Sequence, residues 1–272
     1  MDRKRLGSER PPKRKEQLDL DDVIYGVHAV EEALTAGEVL KKLYVGDERK
    51  RDPALRRLLD DARTAGITIR FENRMFFSQF PYRAHQSVVA FGVPFEYVTI
   101  EEAIAARAPG RSLFVVLDHI TDPHNAGAII RSAECAGATA VILPERRAAG
   151  VNATVRKAAA GATAHLPIAR VANVAGAIRT MKKARIWTAG AATGPGSIAY
   201  TKADFKGDLA IVIGAEGDGI SQVVRKECDF LVEIPMFGSL ESLNASVAAG
   251  ILLFEARRQR DAAEASALSP KG

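Results

Sequence analysis

Apolar and polar positions fall into two regimes along the chain, and the change comes near residue 111. Before it, short segments of both periods alternate. GVHAVEEALTAG (26–37) repeats apolar residues at helical spacing and stops on Gly. DPALRRLLDDARTAG (52–66) is a second helix, with Asp52 placed to cap it and Pro53 at its first position. KLYVG (42–46), ITIRFE (67–72) and SVVAFGVPF (87–95) read as strands, the second with half-buried alternation. Residues 98–111 hold a short helical pattern followed by APG.

From residue 112 the pattern becomes strand, loop and helix, repeated. The strands are LFVVLDHI (113–120), ATAVILP (138–144), AHLPIAR (164–170), ARIWTAG (184–190), DLAIVIGAE (208–216) and DFLVEIPM (229–236). They are nearly unbroken apolar runs, as strands covered on both faces are. Helical patterns such as VNATVRKAAAG (151–161) and VANVAGAIRTMKKA (171–184) separate them. This predicts an α/β fold with a parallel sheet and helices on both sides. The expected organisation is a basic tail at 1–21, a small α/β domain at 22–97, a linker at 98–111, a larger α/β domain at 112–262 and a C-terminal tail at 263–272.

Composition narrows the class. No run approaches the roughly 18 apolar residues of a membrane span. The start, MDRKRLGSERPPKRKEQLDLDD, lacks the apolar core of a secretory signal. Cys135 and Cys228 lie far apart and form no CxxC pair, which fits a reducing cytoplasm rather than a disulfide framework or zinc site. Net charge is +5 at pI 9.2, a mild excess compatible with a polyanion partner. Residues 1–15 concentrate it, with seven Lys and Arg against Asp2 and Glu9. Such a segment reads as a solvated, disordered tail, and a flexible basic arm on RNA phosphates is compatible with that reading.

Three stretches carry the candidate chemistry: TDPHNAGAIIRSAECAG (121–137), IVIGAEGDGIS (211–221) and VEIPMFGSLESLNASVAAGILLFEARRQR (232–260). Each leaves an apolar run through a Gly-, Asn- or Ser-rich loop and opens a helical pattern. Ligand sites in α/β proteins sit at such strand ends. Asn125, Arg131, Glu216, Asn244 and Ser246 would then share one site built from three loops. Local alternatives exist for each. Asp122 and Asn125 could both cap a helix, and Asn244 and Ser246 open another where caps are expected. Arg131, on a helix of small and apolar residues, is either an exposed solubilising charge or a phosphate or carboxylate ligand. Glu216, at the end of a very apolar strand, reads as a buried carboxylate that caps the next helix or holds a charged group.

GAEGDG (214–219) follows a strand, but as GxxGxG and late in the sheet, so a dinucleotide site is not indicated. Its glycines suit close approach of a ligand to the backbone. Asp118, His119, Asp122 and His124 lack a well-placed third ligand for a metal. P-loop, HExxH and Gly-x-Ser-x-Gly signatures are absent. NRMFFSQFPYRAHQ (73–86) mixes aromatics, mostly expected in the core, with Arg74, Arg83, His85 and Gln86, a mixture that suits stacking on unpaired bases.

The three stretches resemble, in order over residues 112–260, motifs 1, 2 and 3 of the SpoU (TrmH-type) branch of the SPOUT RNA methyltransferases. IYGVHAVEEAL (24–34) and AHQSVVAF (84–91) resemble the small RNA-binding domain that precedes the catalytic domain in the members acting on 23S ribosomal RNA. The resemblance implies a parallel-sheet SPOUT domain with a deep trefoil knot. It implies S-adenosylmethionine-dependent 2′-O-methylation of a ribose, a guanosine of 23S ribosomal RNA foremost. A tRNA ribose methyltransferase or an rRNA antibiotic-resistance methylase are alternatives within the family, and a non-catalytic RNA-binding or assembly factor on the same fold is an alternative of another class. By the same resemblance Gly214, Ile234 and Leu243 line the donor's adenosine pocket, with Gly217 and Met236 as neighbours. Arg131 would be the central catalytic residue, as a base or as an electrostatic stabiliser, with Asn125, Glu216, Asn244 and Ser246 around it. No metal is implied. RNA and a second copy of the chain are the implied partners, the site lying at a two-fold interface in the cytoplasm.

Overall fold

The computed structural model describes residues 23–35, 39–80, 85–93 and 95–268; the predicted basic tail lies outside them. The first unit is built from β1 (Val23–Tyr25), α1 (Val27–Thr35), β2 (Leu40–Gly46), α2 (Arg56–Thr64), β3 (Thr68–Glu72), α3 (Arg74–Phe77) and β4 (Val88–Gly92). Its sheet has the order β1-β4-β2-β3, with β2 and β3 parallel and the other pairs antiparallel. The strand period of two sorts the side chains. Leu43, Val45, Val88 and Ala90 face α1 and α2, while Tyr44 and Val89 face Phe77 and Phe80. Asp52 accepts from the Ala54 N–H at 2.9 Å, and Pro53 opens a single 3₁₀ turn before α2 begins.

The phenylalanines of the segment 73–80 pack into the core, as most of the aromatics were expected to. Phe76 stacks on Tyr44 at 4.6 Å between centroids, and Phe77 and Phe80 are buried against neighbouring rings. Those rings are therefore occupied by each other rather than offered to bases. Tyr82 and Arg83 lie outside the described residues.

The segment predicted as a linker is ordered onto the second unit. Val98 bridges to Ala169, and Thr99 and Glu102 form a reciprocal cap at the start of α4 (Ile100–Ala105). Then follow β5 (Leu113–Asp118), α5 (Pro123–Cys135), β6 (Ala140–Pro144), α6 (Ala153–Ala159), β7 (Ile168–Val171), α7 (Val174–Lys183), β8 (Trp187–Ala191), β9 (Ser197–Ala199), β10 (Leu209–Gly214), α8 (Gln222–Glu227), β11 (Phe230–Glu233) and α9 (Ala245–Leu268). The sheet order is β7-β6-β5-β10-β8-β11-β9, and every neighbouring pair is parallel. Val115, Leu117, Ile211 and Ile213 pack under α5 and α9. Phe114, Val116, Ala210 and Val212 pack under α7 and α8. Both faces are dry, which is why the strands read as unbroken apolar runs.

Three elements were not expected from the sequence: β1, α3 and β9. Each is three or four residues long, too short to express a period. Helix α9 runs to Leu268, past the residue 262 at which its domain was expected to end.

Candidate active site

Sheet order explains why distant loops meet. β5 and β10 are neighbours in register, with Asp118 opposite Gly214, so the loops that leave them lie side by side. The first opens α5. Asp122 is its N-cap, accepting from the His124 N–H at 3.0 Å, with Pro123 at the first helical position. The cap is therefore filled without Asn125, whose amide is free to reach across. Asn125 Nδ2 donates to Glu216 Oε1 at 2.6 Å.

Asn244 opens α9 and does two things at once. Its Oδ1 accepts from the backbone N–H of Ser246 at 2.9 Å and of Val247 at 3.3 Å, the geometry of an N-cap. The Ser246 hydroxyl also donates to this oxygen, at 2.5 Å. Its Nδ2 lies within donating distance of Asn125 Oδ1 at 2.9 Å and Glu216 Oε1 at 2.5 Å. Four of the five residues predicted to act together are thus one hydrogen-bonded cluster from three loops. Glu216 departs from the expectation of a buried carboxylate. It is exposed, two residues beyond the end of β10, and it caps nothing; Ser221 is the cap residue of α8. One carboxylate oxygen receives both amides, and among the described residues the other has no partner.

Arg131 stands apart from this cluster. It is exposed and, among the described residues, has no hydrogen-bond or ion-pair partner. Helix geometry accounts for the separation. Six positions carry Arg131 about 120° around the axis and about 9 Å along it from Asn125.

Beside the cluster a cleft of about 370 Å³ opens under the loops after β10 and β11. Gly214, Gly217, Ile234, Met236 and Leu243 all line it. Gly214 is required by the loop itself. A Cβ on Gly214 would stand 2.0 Å from the carbonyl carbon of Gly219, so it is the loop's own return that excludes a side chain. That return is fastened by mutual backbone hydrogen bonds between Ala215 and Gly219 of 3.1 and 2.9 Å. Gly217 and Gly219 have φ of +83° and +65°, the left-handed region that favours glycine. The floor is apolar, and Glu216, Glu233 and Glu241 are the charged residues of its lining. An apolar floor with carboxylates and no lysine or arginine suits a ligand that joins a flat neutral base to a positively charged group, and the volume suits a ligand of nucleoside size.

Residues 112–254 match the family described as SpoU rRNA Methylase. The chain belongs to the SpoU rRNA methylase family. Residues 23–98 match a second family, described as RNA 2′-O ribose methyltransferase substrate binding. The 23S rRNA (guanosine-2′-O-)-methyltransferase of Escherichia coli is 39% identical over 246 residues, 89% of this chain and 100% of that one. An uncharacterised tRNA/rRNA methyltransferase of Synechocystis is 39% identical over 254 residues, 92% of this chain and 66% of that one. Among solved structures, the SpoU methyltransferase AviRb of Streptomyces viridochromogenes, in complex with the cofactor AdoMet, aligns with TM-score 0.57 and 28% identity over 88% of this chain and 90% of that one. The family fold is that of the observed α/β domain.

One pair at the site was considered in the sequence only as metal ligands. Asp118, 1% exposed, accepts from the Ser221 N–H at 2.7 Å and contacts His119 Nδ1 at 2.6 Å. It thereby ties the end of β5 to the cap of α8 and holds the 214–221 loop shut. His119 has φ of +62°, unusual for a residue with a side chain, and lines a smaller cleft with Asn125 and Glu216. The readable signal was a lone acid ending an apolar strand. Among the described residues no group of three or more His, Cys, Asp or Glu is placed to hold a metal. No helix among them is long and apolar enough to cross a membrane.

Proposed function

We propose that this chain transfers a methyl group from S-adenosylmethionine to the ribose 2′ oxygen of a guanosine in 23S ribosomal RNA. The observation that carries the reading is the Asn125–Glu216–Asn244 cluster at the rim of the acidic, apolar-floored cleft, in a chain aligned with the full length of the E. coli enzyme. The bound donor supplies an electrophilic methyl group. The residues then have separable tasks. Gly214 and Gly217 shape the loop, and Ile234, Met236 and Leu243 give the adenosine an apolar seat. Asn125 and Asn244 fix the carboxylate of Glu216, and Ser246 fixes Asn244. The free oxygen of Glu216 can accept a hydrogen bond from the ribose hydroxyl, orient it for the in-line transfer and take its proton as the methyl group is transferred. Arginine is effectively always protonated, so Arg131 acts by pairing with RNA and stabilising the developing alkoxide rather than by taking its proton.

The position of Arg131 supports the homodimer. Phe237, Leu240, Val247 and Phe254 expose 97, 77, 49 and 51% of their surface on α9 and the loop before it. α9 packs on α5, so an apolar surface and the unpartnered Arg131 belong to one helix pair. A second copy seated there covers the apolar surface and receives Arg131 into its own site. The knot of the family, the division into a substrate domain at 22–97 and a methyltransferase domain from 112, and action in the cytoplasm where ribosomes mature belong to this reading. Mapping ribose methylation in 23S ribosomal RNA from cells lacking the protein tests it: one guanosine should lose its methyl group and regain it when the gene is returned.

A further inference from the structure

We infer that the loop after β6 is a phosphate-binding bridge, with Arg146 and Arg147 carrying RNA from the N-terminal unit to the ribose site. The inference rests on the RNA reading above. The loop is fastened to the site on one side. Ala149 N–H donates to the Ile120 carbonyl at 2.8 Å, and Ile120 lines the small cleft with Asn125 and Glu216. Its other end is fastened to the sheet, through the Glu145 N–H and the Val171 carbonyl at 2.9 Å. The helix that follows it, α6, meets the N-terminal unit. Arg156 Nη2 donates to the Val93 carbonyl at 2.9 Å, and Lys157 pairs with Glu32. An RNA that touches both the N-terminal unit and the site therefore passes this loop.

The charges on the loop are uncommitted. Arg146 and Arg147 are exposed, and among the described residues neither has a hydrogen-bond or ion-pair partner. Arg156 and Arg170 nearby are engaged, the second with its guanidinium 5.0 Å from the Tyr97 ring centre. Arg147 sits at φ +57°, where residues other than glycine are strained, on a loop too firmly pinned to relax it. A pair of unneutralised guanidinium groups on a loop pinned beside the site matches phosphate oxygens, which position RNA without reading its sequence.

The test is RNA affinity against salt, with an in vitro transcript of 23S ribosomal RNA as probe and the full chain throughout. Arg146→Ala and Arg147→Gly are compared singly and together with wild type. Glycine keeps the left-handed backbone, and Arg147→Lys keeps the charge. Arg185→Gly is the matched control, since Arg185 is also exposed and left-handed at φ +61° but precedes β8, at the opposite end of the strands. Each lost contact should make the log–log salt slope shallower by roughly 0.7 to 0.9. Arg147→Lys and Arg185→Gly should keep the wild-type slope, and donor affinity by calorimetry should be unchanged in all. A double variant with wild-type slope overturns the inference, as does weakened binding at unchanged slope, which would point to a partner other than a phosphate backbone. A wild-type protein that does not bind RNA overturns the functional reading instead.

Discussion

Asn244 Nδ2 donates to Asn125 Oδ1 across 2.9 Å, joining two loops that lie 119 residues apart in sequence. The two amides differ in what else they hold, and this separates stability from chemistry. Asn244 is also the cap of α9, whereas Asp122 relieves Asn125 of capping. Asn244→Ala should cost about 1 kcal/mol of stability together with most of the activity. Asn125→Ala should lose activity with little change in stability. Urea denaturation of both variants beside methyl-transfer rates checks the split.

Removing the acid that holds the loop shut should act on donor binding. Asp118→Ala leaves the Ser221 N–H without its acceptor, an unmet polar group that costs about 1–3 kcal/mol. The 214–221 loop would loosen and donor affinity fall. Asp118→Asn retains an oxygen for Ser221 and should recover most of the affinity. Calorimetric titration of the donor into the two variants measures this, and equal affinity in both would remove the assigned role.

If the site is shared between two copies, two inactive variants should repair each other. Arg131→Ala and Asn125→Ala should each be inactive alone while binding the donor. Co-expressed with different tags and purified as the mixed pair, they should regain about half the wild-type rate, because one of the two sites receives both intact residues. A mixed pair as inactive as its parents would place Arg131 in its own chain's site.

Acid should loosen the second unit through Asp208. Burial pushes Asp208 upward, but the Ser112 hydroxyl, the backbone N–H groups of Gly110 and Ser112, and Arg107 outweigh it and hold the carboxyl below its ordinary 3.8. A carboxylate depressed in the folded state contributes stability that is complete above its unfolded pKa and lost as pH falls through the folded one. Unfolding free energy should therefore drop below about pH 4. Asp208→Asn should be less stable at pH 7 and show a flatter acid limb, measured by urea unfolding between pH 3 and pH 7.

How far the sequence could be read follows from what each feature depends on. The long β5 and β10 announced themselves because both faces of each strand are covered. Residues 23–25 and 197–199 form strands only because neighbours recruit them, which no local period records. Asn125, Glu216, Asn244 and Ser246 were legible as a set because each follows a strand in the same domain. Their division of labour was not, because it depends on whether Asp122 or Asn125 takes the cap. Glu216 was misjudged as buried because β10 ends at Gly214 and the chain turns outward there. The reason for Gly214 was hidden too, since the atoms that exclude a side chain belong to Gly219 five residues later.

The most direct measurement of the central claim is product analysis after methyl transfer in vitro. Purified protein, labelled S-adenosylmethionine and an unmodified 23S ribosomal RNA transcript are incubated together, and the RNA is digested to nucleosides. The account predicts label in 2′-O-methylguanosine, at one position, abolished by Arg131→Ala and by Asn125→Ala. Label on a nucleobase, label in a nucleoside other than guanosine, or none in 23S RNA while a tRNA is methylated would contradict it.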